Sequence, residues 1–406
     1  MVTIKPYKAL RPTKALASKV ASKPYDVLNS AEAKEAVTAN PISFLHITKS
    51  EVDVPDGINI HTDEVYNKAK ENLQKFQDDG TLFLEEKSCY YIYTLVMNGR
   101  SQTGLVCVSS VDDYFNNLIK KHEFTRPEKE KDRIDHIFST KAQTGKVFLA
   151  YNNVAEMDDL VNHWKSTHQP EYDFTADDGV QHTIWVVNDD VVINTITSIF
   201  KEKVSATYIA DGHHRAASAA KVSKKLFNNA NAKFFLTVIF PADELAIMDY
   251  NRVVKDLNGH TEESFRQALE TDFDVQERFE AVRPSQLHEF GMYLGGKWYC
   301  LQSKEGTYTN DPIGVLDVSI LAKNVLAPLL GVKDQRTDKR IDFVGGIRGL
   351  GELVRRVDSG EMQVAFSLYP VTIQQLFDIA DSGEVMPPKS TWFEPKLRDG
   401  LLTHLL

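Results

Sequence analysis

Apolar positions along this 406-residue chain recur with two periods, and the alternation between them outlines the elements. Over residues 62–76 the spacing is helical. Val65, Ala69, Leu73 and Phe76 share one face, Asp63 and Glu64 stand in the first turn, and Gly80 follows the end. Residues 88–95 and 101–108 are aromatic and β-branched runs joined around Asn98-Gly99, which predicts a tight hairpin. A helix is predicted over 112–121, then a polar stretch from His122 to Pro127 and a mixed-sign run over 128–133.

The middle of the chain alternates between the two periods. Strands are predicted over 182–187, 206–210 and 234–240, and helices over 189–203 and 215–227. Such alternation predicts a partly parallel sheet with helices packed on it. In the last third, residues 290–302 read as a hairpin turning at Gly295-Gly296. Residues 372–381 read as a helix with Ile373, Leu376, Phe377 and Ala380 on one face and Gly383 beyond its end. The fold class expected is α/β (α+β).

Length adds that more than one core is needed. Hydrophobic residues make up 42% and charged residues 26%, ordinary globular values. The net charge is -10, with 57 acidic against 47 basic residues and no concentrated basic face. That counts against a nucleic-acid partner, whose backbone calls for the opposite sign. Cys89, Cys107 and Cys300 are far apart, which fits a reducing compartment and excludes a cysteine zinc site. No stretch reads as a signal peptide or a membrane span, so no membrane partner and a cytoplasmic location are expected.

The strongest chemical signal is Asp211-Gly212-His213-His214-Arg215, placed where a predicted strand gives way to a helix. Gly212 permits a tight turn, and the helix start offers free N–H groups and the positive end of its dipole to an anion. Arg215 adds a planar fork suited to phosphate oxygens, and His213 and His214 add imidazole donors. On position alone, Asp211 reads equally as a helix cap. Adjacent histidines lack the i, i+4 spacing of a metal pair, and no metal ligands are assigned. Gly345 to Gly351 is glycine-rich but lacks the Gly-Lys-Ser/Thr ending of a phosphate loop, and predicts a turn before a helix.

The pentapeptide resembles the Asp-Gly-His-His-Arg signature of free-serine kinases in the ParB/sulfiredoxin-like superfamily. Two further patches are similar to those kinases: His122-Glu123 upstream, and Gly383-Glu384-Val385 with Pro388-Lys389-Ser390-Thr391 near the C-terminus. Trp392 stands where they tend to carry a basic residue. Over its length the chain resembles a bacterial family catalogued as domain of unknown function 1015. That match rests on Pro24-Tyr25-Asp26-Val27, Asn40-Pro41-Ile42-Ser43-Phe44-Leu45, His122-Glu123-Phe124-Thr125, the signature turn, and residues 386–396.

The resemblance implies an N-terminal family-specific segment over 1–84, a ParB/sulfiredoxin-like nucleotide-binding domain over 85–245, and a C-terminal α/β domain over 246–406. It implies transfer of a phosphate from ATP or ADP, with Mg2+, to the hydroxyl of free L-serine. Glu123 would be the catalytic base and Asp211 a partner beside the transferred phosphate. Gly212, His213, His214 and Arg215 would hold the nucleotide phosphates, and Lys389, Ser390 and Thr391 the serine carboxylate. By position alone, Glu123 is a solvated carboxylate and the 389–391 stretch a loop closed by Pro387-Pro388. Two other functions fit the same motif, a phosphoserine phosphatase and a non-catalytic ParB-like nucleotide-binding protein.

Overall fold

The hairpin predicted around Asn98-Gly99 forms the middle of the larger sheet in the computed structural model, which describes residues 1–55 and 57–406. Asn98 and Gly99 both take the left-handed backbone, at φ 52° and 77°, as a two-residue hairpin requires. The chain divides into two compact units, one of Met1–Leu245 with Pro395–Leu406, the other of Ala246–Glu394.

In the first unit nine strands form one sheet. They are β1 (Ile4–Lys5), β2 (Tyr90–Met97), β3 (Arg100–Ser110), β4 (Ile119–Lys120), β5 (Val147–Tyr151), β6 (Tyr172–Thr175), β7 (Gln181–Val187), β8 (Thr207–Asp211) and β9 (Phe234–Pro241). Their order is β4-β8-β5-β9-β3-β2-β7-β6, with β1 beside β3. The β4–β8 and β5–β9 pairs are parallel and the others antiparallel, which is the mixed sheet the alternation predicted. Thr403–Leu405 at the C-terminus pairs with Ala9–Pro12 and Ala142–Gln143 in a smaller sheet.

Four of the longer helices of this unit are α1 (Asp63–Asp78), α2 (Pro127–Thr140), α3 (Asp190–Lys203) and α4 (His213–Lys225). On α4, Ala216, Ala219 and Ala220 are buried with Leu149, Ile209, Phe235 and Ile239, so short side chains let the helix lie close on the sheet. Each fully buried Ile, Leu or Phe contributes roughly 1.5–3 kcal/mol.

One local expectation needs correction. The helix predicted over 112–121 covers only Val111–Phe115. Asn117 takes φ 58°, which breaks the helix, and Ile119–Lys120 then joins the sheet edge as β4. The mixed-sign run over 128–133 is the start of α2, with Pro127 at its first position. Its glutamate Glu130 turns inward and pairs with Lys221 of α4.

Burial of histidine sets an acid limit on this unit. His122, His136 and His404 are enclosed, and burial pulls each imidazole down to about 4. The unfolded chain protonates these rings below about pH 6.5, whereas the fold resists until about pH 4. Their contribution is therefore present above about pH 6.5 and is lost as pH falls through about 4, at roughly 1.4 kcal/mol per unit for each ring. Thermal melts are expected to drop steeply from about pH 6.5 downward. A melting temperature unchanged down to about pH 5 would show that the folded rings accept protons freely.

The second unit holds a six-stranded antiparallel sheet of β10 (Tyr250–Val254), β11 (Phe273–Arg278), β12 (Glu289–Leu294), β13 (Lys297–Ser303), β14 (Ile341–Gly345) and β15 (Val364–Leu368). The order is β11-β13-β12-β15-β10-β14. The predicted turn at Gly295-Gly296 joins β12 to β13. The glycine-rich segment after β14 is a short 3-10 turn leading into α5 (Gly349–Asp358). The helix predicted over 372–381 is α6 (Ile373–Ser382), capped by Thr372 with Gln375 and ended by Gly383 at φ 76°. Among the described residues no helix is long and apolar enough to cross a membrane.

Candidate active site

At its end β8 departs from regular pairing. Its register against β5 shifts between Ile209 and Asp211, so Ala210 is an extra residue on that strand. Such a bulge bends the strand and re-aims the side chain that follows. Gly212 comes next at φ 97° and ψ 28°, and α4 begins at His213 with no side-chain cap. The cap position thus belongs to Gly212, and Asp211 does not cap the helix. The helix start presents its first-turn N–H groups and positive dipole end at this turn.

A Cβ at Gly212 would lie 3.0 Å from Arg215 Nε and 3.1 Å from Cζ. Gly212→Ala is expected to cost about 1–2 kcal/mol through the left-handed backbone and to displace the guanidinium. A variant with wild-type melting temperature and unchanged ADP affinity would remove this constraint.

Arg215 is nearly enclosed. Its Nη1 donates to the Lys146 carbonyl, and its Nη2 lies 3.4 Å from Asp211 Oδ2 and 3.9 Å from Asp26 Oδ2. Lys396 Nζ approaches Asp211 Oδ2 to 3.5 Å. Burial pushes the Asp211 carboxyl up, but Lys396 and Arg215 outweigh it and hold the group well below the usual carboxylate range. Burial opposes the charge on Arg215, and Asp211 and Asp26 restore it. Beneath them Lys146 is fully buried, and burial pulls it down to about 8. Its Nζ donates to the Arg398 carbonyl at 2.9 Å. Asp399 is pushed up to about 6 by burial, and among the described residues neither of its carboxylate oxygens has a hydrogen-bond partner.

The two signature histidines differ in role. His213 is buried, edge-on to His122 with centroids 4.6 Å apart, and its Nδ1 stands 3.7 Å from Glu123 Oε2. Burial, reinforced by His122, keeps His213 well below its ordinary value, so the ring is neutral and its contact with Glu123 is not an ion pair at neutral pH. Glu123 keeps 53% of its side chain exposed. His214 Nε2 accepts the Arg126 N–H at 3.0 Å, which assigns the ring proton to Nδ1. The expected pair of imidazole donors is therefore only partly available, because His214 spends Nε2 as an acceptor.

Glu123, Asp211, Gly212, His213, His214 and Arg215 come together within the first unit. Lys389, Ser390 and Thr391 belong to the second, on the loop after α6. Lys389 is exposed at φ 58° with its Nζ 5.6 Å from the Tyr250 ring, and the buried Ser390 donates to the Pro387 carbonyl at 2.7 Å. The sequence reading assigned no role to Lys146, Lys396, Asp399 or Asp26. Asp26 and Lys396 lie in strings that carried the family resemblance, which was the available signal. Lys146 and Asp399 had none, because their burial beside Arg215 is a product of long-range folding. A cavity of about 320 Å3 adjoins this cluster, lined by Tyr25, Asp26, Lys49, His61 and Arg133 among others. Among the described residues no group of three or more His, Cys, Asp or Glu side chains is arranged to hold a metal ion.

Residues 4–319 match the family described as a protein of unknown function, DUF1015. No curated protein matches the chain. Among solved structures, a conserved hypothetical protein from Pyrococcus furiosus is 16% identical, with 74% of this chain and 94% of that one covered and a TM-score of 0.35. A free serine kinase in complex with AMP is 14% identical, with coverages of 77% and 92% and a TM-score of 0.36. SbnI with C-terminal truncation from Staphylococcus aureus is 12% identical, with coverages of 74% and 87% and a TM-score of 0.40. Likeness at this level carries no weight for chemistry.

Proposed function

The chain belongs to the DUF1015 family, and we propose that it is a phosphotransferase moving a phosphoryl group from ATP or ADP to the hydroxyl of free L-serine. The nucleotide phosphates sit on the Asp211–Arg215 turn. The observation that carries this reading is the uncapped start of α4 behind the left-handed Gly212, with the Arg215 guanidinium at its mouth. Backbone donors, dipole and guanidinium converge there on one anion. The same five residues form an Asp-Gly-His-His-Arg signature similar to that of ParB/sulfiredoxin-like serine kinases, which supports the reading.

Phosphoryl transfer needs positioning and charge neutralisation more than covalent chemistry. Arg215 and the first-turn N–H groups neutralise the phosphates, and Asp211 holds Arg215 and Lys396 toward them. Glu123 accepts the proton of the serine hydroxyl as the oxygen–phosphorus bond forms and the bond to the nucleotide breaks, leaving the nucleotide one phosphate shorter. His213 beside Glu123 is neutral and does not hold that carboxylate as an ion pair. Lys389, Ser390 and Thr391 are the residues that the resemblance offers for the serine carboxylate. A Mg2+ ion arriving with the nucleotide would be held chiefly by its phosphates, since the described residues form no metal cluster.

The reading is tested by incubating the protein with L-serine, Mg2+ and each nucleotide, and following products by mass spectrometry. O-phosphoserine that appears only with ATP or ADP is the expected result. Orthophosphate released from O-phosphoserine without nucleotide, and no transfer with it, would contradict the reading.

A further inference from the structure

The second unit contains a charge that its fold does not explain. Arg252 sits in the middle of β10, directly paired with Phe343 of β14 on one side and Phe366 of β15 on the other. It is fully buried, among the largest fully buried side chains of the protein. Among the described residues no acidic side chain forms an ion pair with it, and the groups that influence its charge are burial and Tyr250 alone. An isolated buried guanidinium is costly, and folds normally avoid one or pair it. A methionine or leucine would fill this strand position without that cost.

The hydrogen-bond pattern shows which part of the guanidinium is left open. Nη1 donates to the Tyr250 carbonyl two residues back along its own strand. Among the described residues Nη2 makes only a long 3.4 Å contact with the Pro388 carbonyl, and Nε has no partner. Nε and Nη2 form the side-on edge of the fork, where two parallel N–H bonds match the two oxygens of a carboxylate. The Phe343 ring lies 5.3 Å from the guanidinium carbon, a cation–π contact that leaves the hydrogen-bonding capacity of that buried edge unused. Pro388 belongs to the loop after α6, where Lys389 adopts a left-handed backbone and holds a second cation against Tyr250.

We propose that Arg252 is the carboxylate-binding residue of a small-acid site in the second unit, reached when the Pro388 carbonyl gives up its long contact and the ligand carboxylate takes the Nε–Nη2 edge. The site suits a small amino acid or hydroxy acid, with Lys389 as an outer cation. This deepens the reading of the chain as a serine kinase and rests on it for the choice of L-serine as ligand. Burial lowers Arg252 to about 10, which leaves it charged at neutral pH and raises the energetic value of a matching anion.

The test uses the whole protein and calorimetry with L-serine, ethanolamine (which lacks the carboxylate), orthophosphate and ADP. Arg252→Met is expected to weaken L-serine binding tenfold or more, with Arg252→Lys between it and wild type, while ADP affinity stays unchanged. Because the substitution removes an unpaired buried charge, Arg252→Met should melt at or above the wild-type temperature without ligand. Unchanged L-serine affinity in Arg252→Met, or no L-serine binding by wild type, overturns the proposal. So does Arg252-dependent binding of orthophosphate but not of L-serine, or a fall in melting temperature of several degrees in both variants. The two readings fail separately. O-phosphoserine formation by a protein whose L-serine affinity is unaltered in Arg252→Met sinks the role of Arg252 alone, whereas Arg252-dependent L-serine binding without any transfer sinks the kinase.

Discussion

Glu123→Gln is expected to lower phosphoserine formation by about 10²-fold or more while nucleotide affinity barely moves. Glutamine keeps the size and hydrogen-bonding reach of glutamate but cannot accept the hydroxyl proton, so the loss falls on turnover. The carboxylate is half-exposed beside a neutral imidazole, with His213 Nδ1 at 3.7 Å. A positioned base of this type typically contributes ~10²–10⁴-fold. Steady-state assays paired with ADP titrations check it. Near-normal turnover in the variant would mean that the base lies elsewhere, with Asp211 the first candidate.

Arg215→Ala is expected to weaken ADP and ATP binding about tenfold or more and to reduce turnover as well, because its contacts are made both before and during transfer. Charge-assisted hydrogen bonds contribute roughly 1.5–3 kcal/mol each, and 1.4 kcal/mol corresponds to tenfold in affinity. The loss has a second route. Arg215 also offsets Asp211 and Asp26, so its removal leaves two carboxylates facing the incoming phosphates. Arg215→Lys should recover only part of the affinity, since a point charge cannot reproduce the fork. Calorimetry on a folded Arg215→Ala protein that shows unchanged nucleotide affinity would take the turn out of the binding site.

What could be read from the sequence was local, and what could not was long-range. The Asn98-Gly99 hairpin, the helix ended by Gly383 and the strand–turn–helix around Gly212 are each specified by a few neighbouring residues, and each formed as predicted. The helix expected over 112–121 failed because Asn117 adopts the left-handed backbone and Ile119–Lys120 finds a parallel partner in β8, far along the chain. In the site, Asp211 to Arg215 announced themselves by composition on one turn. Lys146 and Asp399 did not, since a lone lysine beside a glycine and a lone aspartate near the C-terminus look like surface groups until folding buries them. Arg252 was hidden for the same reason: only the pairing of β10 between β14 and β15 shows that it is fully enclosed between two phenylalanines.

The most direct measurement is a crystal structure of the protein grown with ADP and L-serine. The expected result is phosphate density within about 2.7–3.2 Å of the backbone N–H groups at His213 to Arg215 and of the Arg215 guanidinium. Nucleotide density at any other place, with the turn and the Arg215–Asp211 contact unchanged, would contradict the assignment of this turn as the phosphate site.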